Sequence, residues 1–234
     1  MLSVRGLNVN RGKLQILFDV SMDVRENEIV ALLGANGAGK TTFLSALVGL
    51  LKPASGSISL QDKDIAGLPP HKYVSHGVAF VPEDRKLFTN CSVRENLVLG
   101  AYRSRERKHI QQLLEGIYEI FPVCRDREKQ YALTLSGGEQ RMLAIARSLM
   151  SGPRLLILDE PSQGLSPRMS LEVFKSLERL RERGISILLA EQNVHHALRF
   201  SDRAYIMETG AVTLEGKSCD LIGNDHVREA FLGI

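Results

Sequence analysis

The stretch Glu28-Ile-Val-Ala-Leu-Leu33 runs directly into Gly34-Ala-Asn-Gly-Ala-Gly39-Lys40-Thr41. Its first part is a nearly continuous apolar run of the kind that forms a strand buried on both faces. Its second part matches the pattern G-x-x-x-x-G-K-[ST], in which backbone N–H groups and a helix N-terminus surround phosphate oxygens. A helix is expected from about Lys40 to Leu50, where Lys52-Pro-Ala-Ser-Gly56 interrupts it. The stretch therefore predicts a strand, a phosphate-binding loop and a helix in direct succession.

Two carboxylates follow another apolar run, Leu155-Leu-Ile-Leu158. Asp159 closes that strand, and a carboxylate placed there, beside a phosphate loop, can hold Mg²⁺ through water. Glu160 comes next and can orient or deprotonate an attacking water molecule. Two adjacent acids can also simply terminate a strand, and the neighbouring phosphate loop is what favours the chemical interpretation. Together with Lys40 on the β- and γ-phosphates and the Thr41 hydroxyl on Mg²⁺, they predict a nucleotide-hydrolysing site.

Strands and helices alternate along the chain, which predicts an α/β fold with a parallel core. Residues 1–33 read as strands, and from Ser92 to about Met150 the pattern is mostly helical. A later helix has clear ends, with Ser166 as N-cap, Pro167 in the first turn and Gly184 just past its end. The other expected strands are Gly77–Val81, Leu155–Leu158 and Ile185–Leu189, and a hairpin formed by Ala204–Met207 and Ala211–Leu214.

The composition is that of a globular protein, with 44% hydrophobic and 24% charged residues in a chain of 234. A net charge of +3 is too small to favour nucleic acid as a partner. The three cysteines are scattered and predict no disulfide framework or metal site. Neither a signal peptide nor an apolar run of the ~18 residues that a membrane span requires is visible. We therefore expect a soluble protein whose membrane role, if any, depends on a partner.

A second motif, Leu135-Ser-Gly-Gly-Glu-Gln140, indicates the family. Ser136 is expected to cap a helix that runs to about Met150, and the two glycines leave its first amides uncovered for a phosphate. The string resembles the signature motif of the ABC ATPases, and Asp159 follows it at the separation typical of that family. The resemblance covers the chain from the first strand to the final hairpin.

The resemblance implies the fold and its divisions. It implies a P-loop NTPase with a RecA-like core, an N-terminal antiparallel β subdomain and an inserted helical subdomain. All 234 residues would form one ABC ATPase domain. The core and the β subdomain would occupy about residues 1–83 and 153–234, and the helical subdomain about residues 84–152.

The resemblance also implies a head-to-tail dimer that binds ATP and Mg²⁺ between its subunits. The signature of one subunit would meet the γ-phosphate held by the phosphate loop of the other. The implied catalytic residues are Lys40, Glu160 and Gln192, and the implied metal-site residues are Thr41, Glu83 and Asp159. The implied nucleotide contacts are Arg11, Gly34, Ala35, Asn36, Gly37, Ala38, Gly39, Lys40, Thr41 and Thr42, and the signature contacts in trans are Leu135, Ser136, Gly137, Gly138, Glu139 and Gln140.

Three of these positions depart from the commonest ABC pattern. Glu83 stands where the family usually has Gln, and Gln192 stands where a His usually contacts the γ-phosphate. Gln can donate a hydrogen bond but cannot carry a positive charge. Arg11 falls where an aromatic ring normally stacks on adenine. Its planar guanidinium could stack in place of the ring or could point to solvent, and the sequence leaves both open.

The first two departures narrow the resemblance to one group. Val81-Pro-Glu83 followed by Glu191-Gln-Asn193 is similar to the ATPase subunits of branched-chain amino acid importers, as are Gly164-Leu-Ser-Pro167 and Phe231-Leu-Gly233. Urea and amide importers share parts of this pattern. The implied partners are transmembrane permease subunits, a second ATPase subunit (a paralogue or a second copy) and an upstream solute-binding protein. The implied location is peripheral, on the cytoplasmic side of the inner membrane.

Two other classes of P-loop protein fit less well. ABC ATPases that act on nucleic acid usually carry long coiled coils, zinc modules or two ATPase units, and the short chain between Gly34 and Leu135 contains no such insertion. A GTPase switch would need a guanine-reading Asn-Lys-x-Asp segment, which this sequence lacks. We therefore expect a transport ATPase without a nucleic-acid partner.

Overall fold

The computed structural model describes residues 1–102 and 107–224, so the closing Phe231-Leu-Gly233 lies outside the described residues. The strands are β1 (Leu2–Arg11), β2 (Leu14–Val24), β3 (Ile29–Leu33), β4 (Ser55–Leu60), β5 (Lys63–Asp64), β6 (Val78–Val81), β7 (Leu155–Asp159), β8 (Ser186–Glu191), β9 (Arg203–Glu208) and β10 (Ala211–Lys217). The helices are α1 (Lys40–Leu47), α2 (Pro70–Ser75), α3 (Val93–Gly100), α4 (Arg107–Ile120), α5 (Pro122–Asp126), α6 (Gly137–Leu149), α7 (Pro167–Glu182), α8 (Val194–Phe200) and α9 (Ser218–Leu221), and a 3₁₀ turn covers Ala132–Thr134.

The main sheet has six strands in the order β10-β9-β3-β8-β7-β6. Four of the five pairings between neighbouring strands are parallel, and the fifth, between β10 and β9, is antiparallel. Because the carboxyl ends of parallel strands meet at one edge, the segments after β3, β7 and β8 lie side by side. The predicted α/β fold with a parallel core is confirmed, and this edge carries Lys40, Asp159 and Glu160, the residues for which chemistry was predicted.

Strand β3 is the centre of the core. All five of its residues are buried, as its continuous apolar sequence predicts. Ile29, Ala31 and Leu33 pack on the side of the sheet that carries helices α3 to α8, whereas Val30 and Leu32 pack on the side of α1 and the second sheet. The phosphate loop that follows β3 is therefore anchored to a strand that cannot move without disturbing both layers.

The second sheet is antiparallel and has the order β2-β1-β4-β5. Strands β1 and β2 were predicted, but β4, β5 and the short helix α2 were not, since Ser55-Gly-Ser57 reads as a turn. The backbone of Gly56 has a φ of 95° and lies so close to Gly6 that an added Cβ would be 2.4 Å from the Gly6 carbonyl oxygen. Only glycine fits there, and a glycine at this position makes the segment look like a loop in the sequence. In the structure the segment is strand β4, which pairs with β1.

Several predicted boundaries were wrong by one to three residues, including the end of the hairpin, where β10 extends to Lys217 rather than Leu214. Helix α1 ends at Leu47 rather than Leu50 because the chain turns at Gly49, whose φ is 73° and whose added Cβ would lie 2.2 Å from the Leu68 carbonyl oxygen. Strand β8 covers Ser186–Glu191 rather than Ile185–Leu189. The predicted caps at Ser136 and Ser166 are confirmed. The division into subdomains near residues 84 and 152 stays a prediction.

Among the described residues, no helix has the length and apolar character needed to span a membrane.

A buried ion pair joins the two sheets. Glu28, just before β3, accepts a hydrogen bond from Arg203 Nε at 2.6 Å and another from the backbone N–H of Arg25 at 2.7 Å. Arg203 also donates to the carbonyl oxygen of Asp23, near the end of β2, at 2.7 Å. The side chains of Arg203 and Glu28 are only 18% and 8% exposed, so this contact is held largely away from water.

We expect Arg203→Met to lower the free energy of unfolding by about 2 to 3 kcal/mol, because it leaves Glu28 largely buried without its partner. This loss is smaller than or equal to the lower limit of the roughly 3 to 5 kcal/mol typical for removing one partner of a buried ion pair. The reason is that Arg203 keeps some contact with water. Arg5→Met is the matched control, since it breaks the exposed Arg5–Asp23 pair and should cost less than about 1 kcal/mol. Urea denaturation checks both, and equal losses for the two variants would contradict the prediction.

Candidate active site

The phosphate loop is clamped between β3 and β9. Gly39, the residue before α1, has a φ of 109°, a left-handed conformation that side chains rarely adopt. Gly34 approaches the neighbouring strand so closely that an added Cβ would lie 2.4 Å from the Met207 carbonyl oxygen. The Gly210 N–H, in the turn after β9, donates to the Ala38 carbonyl oxygen at 2.8 Å. These contacts fix the loop with the N-terminus of α1 facing the cavity.

Lys40 is held inside the loop. Its side chain is 4% exposed, and Nζ donates to the carbonyl oxygens of Gly34 at 2.9 Å and Ala35 at 3.2 Å. The same nitrogen lies 3.1 Å from Oε1 of Glu160, whose side chain is 7% exposed. The sequence predicted both residues for the site, and the structure places them in direct contact.

Asp159 and Glu160 face the loop from the end of β7. Glu160 has a φ of 46°, which is uncommon for a residue other than glycine, and this turn brings its carboxylate to Lys40. Burial raises the pKa of Asp159, a hydrogen bond with Thr41 lowers it in part, and the negative charges of Glu160 and Glu83 raise it further. Four predicted residues therefore meet at one point of the sheet edge.

The residues around Asp159 fit a divalent cation. Its Oδ1 atom is buried and has no hydrogen-bond partner among the described residues, and the Thr41 hydroxyl lies next to the carboxylate. Buried carboxylate oxygens are normally paired, so this one fits a cation. In the described part of the chain, no three His, Cys, Asp or Glu side chains are arranged to hold a metal by themselves. A Mg²⁺ ion here would therefore also need oxygen ligands from a phosphate or from water.

A cavity of about 540 Å³ opens over the loop. Its size lies in the range of small-molecule sites. The predicted residues Gly34, Ala35 and Ala38 do not line it, and Asp159 lies beneath it. Two lining residues, Ile16 and Gln163, were not predicted. The described residues that line the cavity are Arg11, Ile16, Asn36, Gly37, Gly39, Lys40, Thr41, Thr42, Glu83, Glu160 and Gln163.

Gln192 lies beside this cavity rather than in it. It is exposed and lines an adjoining cavity of about 480 Å³, to which Glu160 and Gln163 also belong. The predicted γ-phosphate contact is therefore adjacent to Glu160, but the structure does not place Gln192 against the phosphate loop.

The signature motif lies apart from the chain's own cavity, and none of its six residues lines it. Ser136 and Gly137 are exposed, and Ser136 forms a capping box with Glu139, in which Glu139 accepts from the Ser136 N–H at 2.8 Å. Gln140 instead accepts a hydrogen bond from Arg85 at 2.9 Å. The exposed start of α6 is thus available to a ligand held by another molecule.

Two buried charged residues at the site were not predicted. Glu191 ends β8 and accepts a hydrogen bond from the Ser162 N–H at 2.9 Å, and burial raises its pKa. Like Asp159, Glu191 is a carboxylate at the end of a buried strand, so the pattern that identified Asp159 could also have identified Glu191. Arg141, 1% exposed, donates to the Pro82 carbonyl oxygen at 3.3 Å. Burial lowers the pKa of Arg141, and the charges of Glu191, Glu83 and Asp159 partly oppose that effect. No local sequence signal marks Arg141.

Residues 17–163 match the family model described as ABC transporter. The chain belongs to the ABC transporter family. As a member of this family of ATP-binding proteins, the chain is an ATPase. The resemblance noted in the sequence is therefore confirmed at the level of the family.

Two curated relatives of this ABC protein match it along its whole length. The high-affinity branched-chain amino acid transport ATP-binding protein BraG of Pseudomonas aeruginosa is 43% identical over 233 residues, covering 100% of both chains. The probable branched-chain amino acid transport ATP-binding protein LivF of Archaeoglobus fulgidus is 37% identical and covers 100% of this chain and 99% of its own.

A solved structure supports the fold of this ABC protein. The ADP conformation of an ATP-binding cassette of an ABC transporter superposes with a TM-score of 0.89, at 24% identity, over 100% of this chain and 99% of that one. At this level of identity the likeness shows the fold alone, and it confirms the predicted ABC ATPase architecture.

We expect Gly34→Ala to weaken nucleotide binding at least about tenfold, because the new methyl group must displace either the phosphate loop or Met207. Gly116→Ala is the control, since its methyl group meets nothing closer than Arg183 Nη1 at 3.7 Å on the exposed side of α4. Isothermal titration calorimetry with ATP checks both variants. Unchanged affinity in a folded Gly34→Ala protein would show that the close contact with Met207 does not position the loop.

Proposed function

We propose that this chain is the ATP-hydrolysing subunit of an importer and energises the uptake of branched-chain amino acids through separate permease subunits. The observation that carries the proposal is the full-length, 43% match to BraG, whose name states that transport. The Val81-Pro-Glu83 and Glu191-Gln-Asn193 segments support the same group. The chain would act peripherally, on the cytoplasmic side of the inner membrane.

In this proposal the phosphate end of the site is formed by the loop and by the edge of the sheet. The backbone N–H groups from Gly34 to Thr42 surround the phosphates, and Lys40 contacts the β- and γ-phosphates. Thr41, Asp159 and Glu83 would hold Mg²⁺, which when bound would neutralise charge on the phosphate oxygens. The unpaired Oδ1 atom of Asp159 supports this assignment.

Glu160 is the proposed general base. Its contact with Lys40 at 3.1 Å supports this role, because Lys40 is the proposed partner of the γ-phosphate. Phosphate oxygens attract the same ammonium group, so a bound nucleotide would compete for Lys40 and leave Glu160 to orient the attacking water. Gln192 donates a hydrogen bond toward the γ-phosphate from the adjoining cavity. Glu191 positions the segment after Glu160 through the Ser162 N–H.

We also propose a head-to-tail dimer. The exposed start of α6 and its distance from the chain's own cavity support the binding of the signature, Leu135 to Gln140, to a nucleotide held by the other subunit. Such a ligand contacts both subunits only in the closed dimer and therefore favours closure. The second subunit is a paralogous ATPase or a second copy of this chain.

A groove between β6 and helices α3 and α6 supports the permease as a partner. It has a volume of about 200 Å³ and is lined in part by the exposed side chains of Phe88, Leu99 and Tyr102. The Arg147 guanidinium lies 5.3 Å from the centre of the Phe88 ring. Exposed aromatic residues around a groove are typical of a protein interface. A short cytoplasmic helix of each permease subunit would bind here, and a solute-binding protein would act upstream in the complex.

We expect Glu160→Gln to lower ATP turnover at least about a hundredfold while preserving ATP binding, because the amide cannot accept the water proton. The ATP-bound dimer should then accumulate. Phosphate release and light scattering measure the two effects. Glu182→Gln, at an exposed position of α7, is the matched control and should hydrolyse ATP normally. Near-normal hydrolysis by Glu160→Gln would remove Glu160 from the role of base.

The transport assignment is tested by purifying the tagged chain from gently solubilised membranes of its native host. We expect mass spectrometry to identify two permease subunits, and vesicles containing the complex to take up labelled leucine only with ATP. Uptake of urea without leucine would favour the urea importers. Recovery of nucleic acid or ribosomal proteins in place of permeases would contradict the assignment to transport.

A further inference from the structure

One side of the nucleotide cavity is formed by the antiparallel sheet. Arg11 ends β1 and Ile16 lies in β2, and both line the same cavity as Lys40 and Thr41. The other described lining residues belong to the phosphate loop, to α1 or to the segments that follow β6 and β7. Because the triphosphate occupies the loop, the base must lie toward Arg11 and Ile16.

Arg11 is free to contact that base. Its side chain is exposed, and it forms no hydrogen bond or ion pair with another of the described residues. Ile16 is half-buried and offers an apolar surface for one face of the base. Among the described residues that line the cavity there is no aromatic ring. Recognition of the base therefore depends on a guanidinium group, which only donates hydrogen bonds.

A group that only donates hydrogen bonds discriminates between purines by their edges. Guanine and hypoxanthine present two adjacent acceptors, O6 and N7, which match the fork of a guanidinium group. Adenine presents N7 as an acceptor but a donating amino group at position 6, so it can accept only one of the two hydrogen bonds. The lining side chains that could accept from this amino group are Asn36, Thr41, Thr42, Glu83, Glu160 and Gln163. All of them belong to the phosphate loop, to α1 or to the segments that follow β6 and β7.

We propose that Arg11 makes this site accept the 6-oxopurine nucleotides GTP and ITP at least as well as ATP. The inference rests on the proposed function, since it assumes that nucleoside triphosphates are hydrolysed in this cavity. Arg11 would be the residue that determines base selectivity, while the phosphate loop and Glu160 act on any bound triphosphate.

The test compares kcat/KM for ATP, GTP and ITP in the full chain and in Arg11→Ala, Arg11→Tyr and Lys13→Ala. For the wild-type protein we expect the GTP and ITP values to equal the ATP value within about threefold or to exceed it. Arg11→Ala should lower the GTP-to-ATP and ITP-to-ATP ratios about tenfold, the loss expected for one base-edge pair. Arg11→Tyr should raise all three values above those of Arg11→Ala by stacking on each base, without restoring the ratios.

Lys13→Ala is the matched control. It removes one positive charge from the turn after β1, and Lys13 is exposed and does not line the cavity. It should keep the wild-type ratios, which separates recognition of the base from general electrostatic attraction. Equilibrium binding of the three nucleotides, measured by calorimetry, should follow the same order.

Three outcomes would overturn the inference. The first is a wild-type preference for ATP of more than about threefold over both GTP and ITP, which would leave the proposed function standing. The second is an Arg11→Ala variant with unchanged ratios, which would show that Arg11 does not read the edge of the base, whether it stacks on the base or points to solvent. The third is a failure to bind or hydrolyse any of the three nucleotides, which would overturn the proposed function as well.

Discussion

The ion pair between Lys40 and Glu160 is the contact on which the active site depends. It joins the segment after β3 to the segment after β7, two strands that β8 separates in the sheet. Two buried charges require each other, so neither segment can shift alone without a large penalty. The Glu160 N–H also donates to the Ala190 carbonyl oxygen of β8 at 2.9 Å, which ties the third strand to the same point. A bound phosphate would compete with Glu160 for Lys40. Binding of the phosphate and release of the Glu160 carboxylate would therefore both act through the side chain of Lys40.

Three further charged side chains, Asp159, Glu191 and Arg141, are buried near this pair. Burial raises the pKa values of Asp159 and Glu191, and the buried guanidinium of Arg141 attracts both carboxylates. Arg141 belongs to α6, the helix that begins at the signature motif, and it donates to Pro82 beside Glu83. The helix that begins at the exposed signature therefore also carries a buried positive charge that attracts the acids at the ends of β7 and β8.

The parts of the fold that sequence predicts well are those with local causes. Strand β3, the phosphate loop and the caps at Ser136 and Ser166 each follow from a few adjacent residues. Strand β4 was missed because Gly56 is required by a close approach to Gly6, a contact between distant parts of the chain. Arg141 was missed for the same reason, since its burial depends on elements far from it in sequence. The positions of Asp159 and Glu160 were predictable because strand ends and the phosphate loop meet at one edge.

The two ends of the nucleotide cavity differ in how firmly the fold holds them. The phosphate end consists of backbone groups packed against Met207 and of the buried side chains of Lys40 and Glu160, so a methyl group added at Gly34 meets backbone atoms of β9. The proposed base contact is a surface side chain at the turn of a hairpin, where Arg11 contacts nothing that the core requires. Under the proposal, a change of residue at that position alters the relative kcat/KM values of the three nucleotides and leaves the phosphate loop and Glu160 in place. The proposed base selectivity would then be separable from the chemistry of the phosphate end, because the two depend on different sheets.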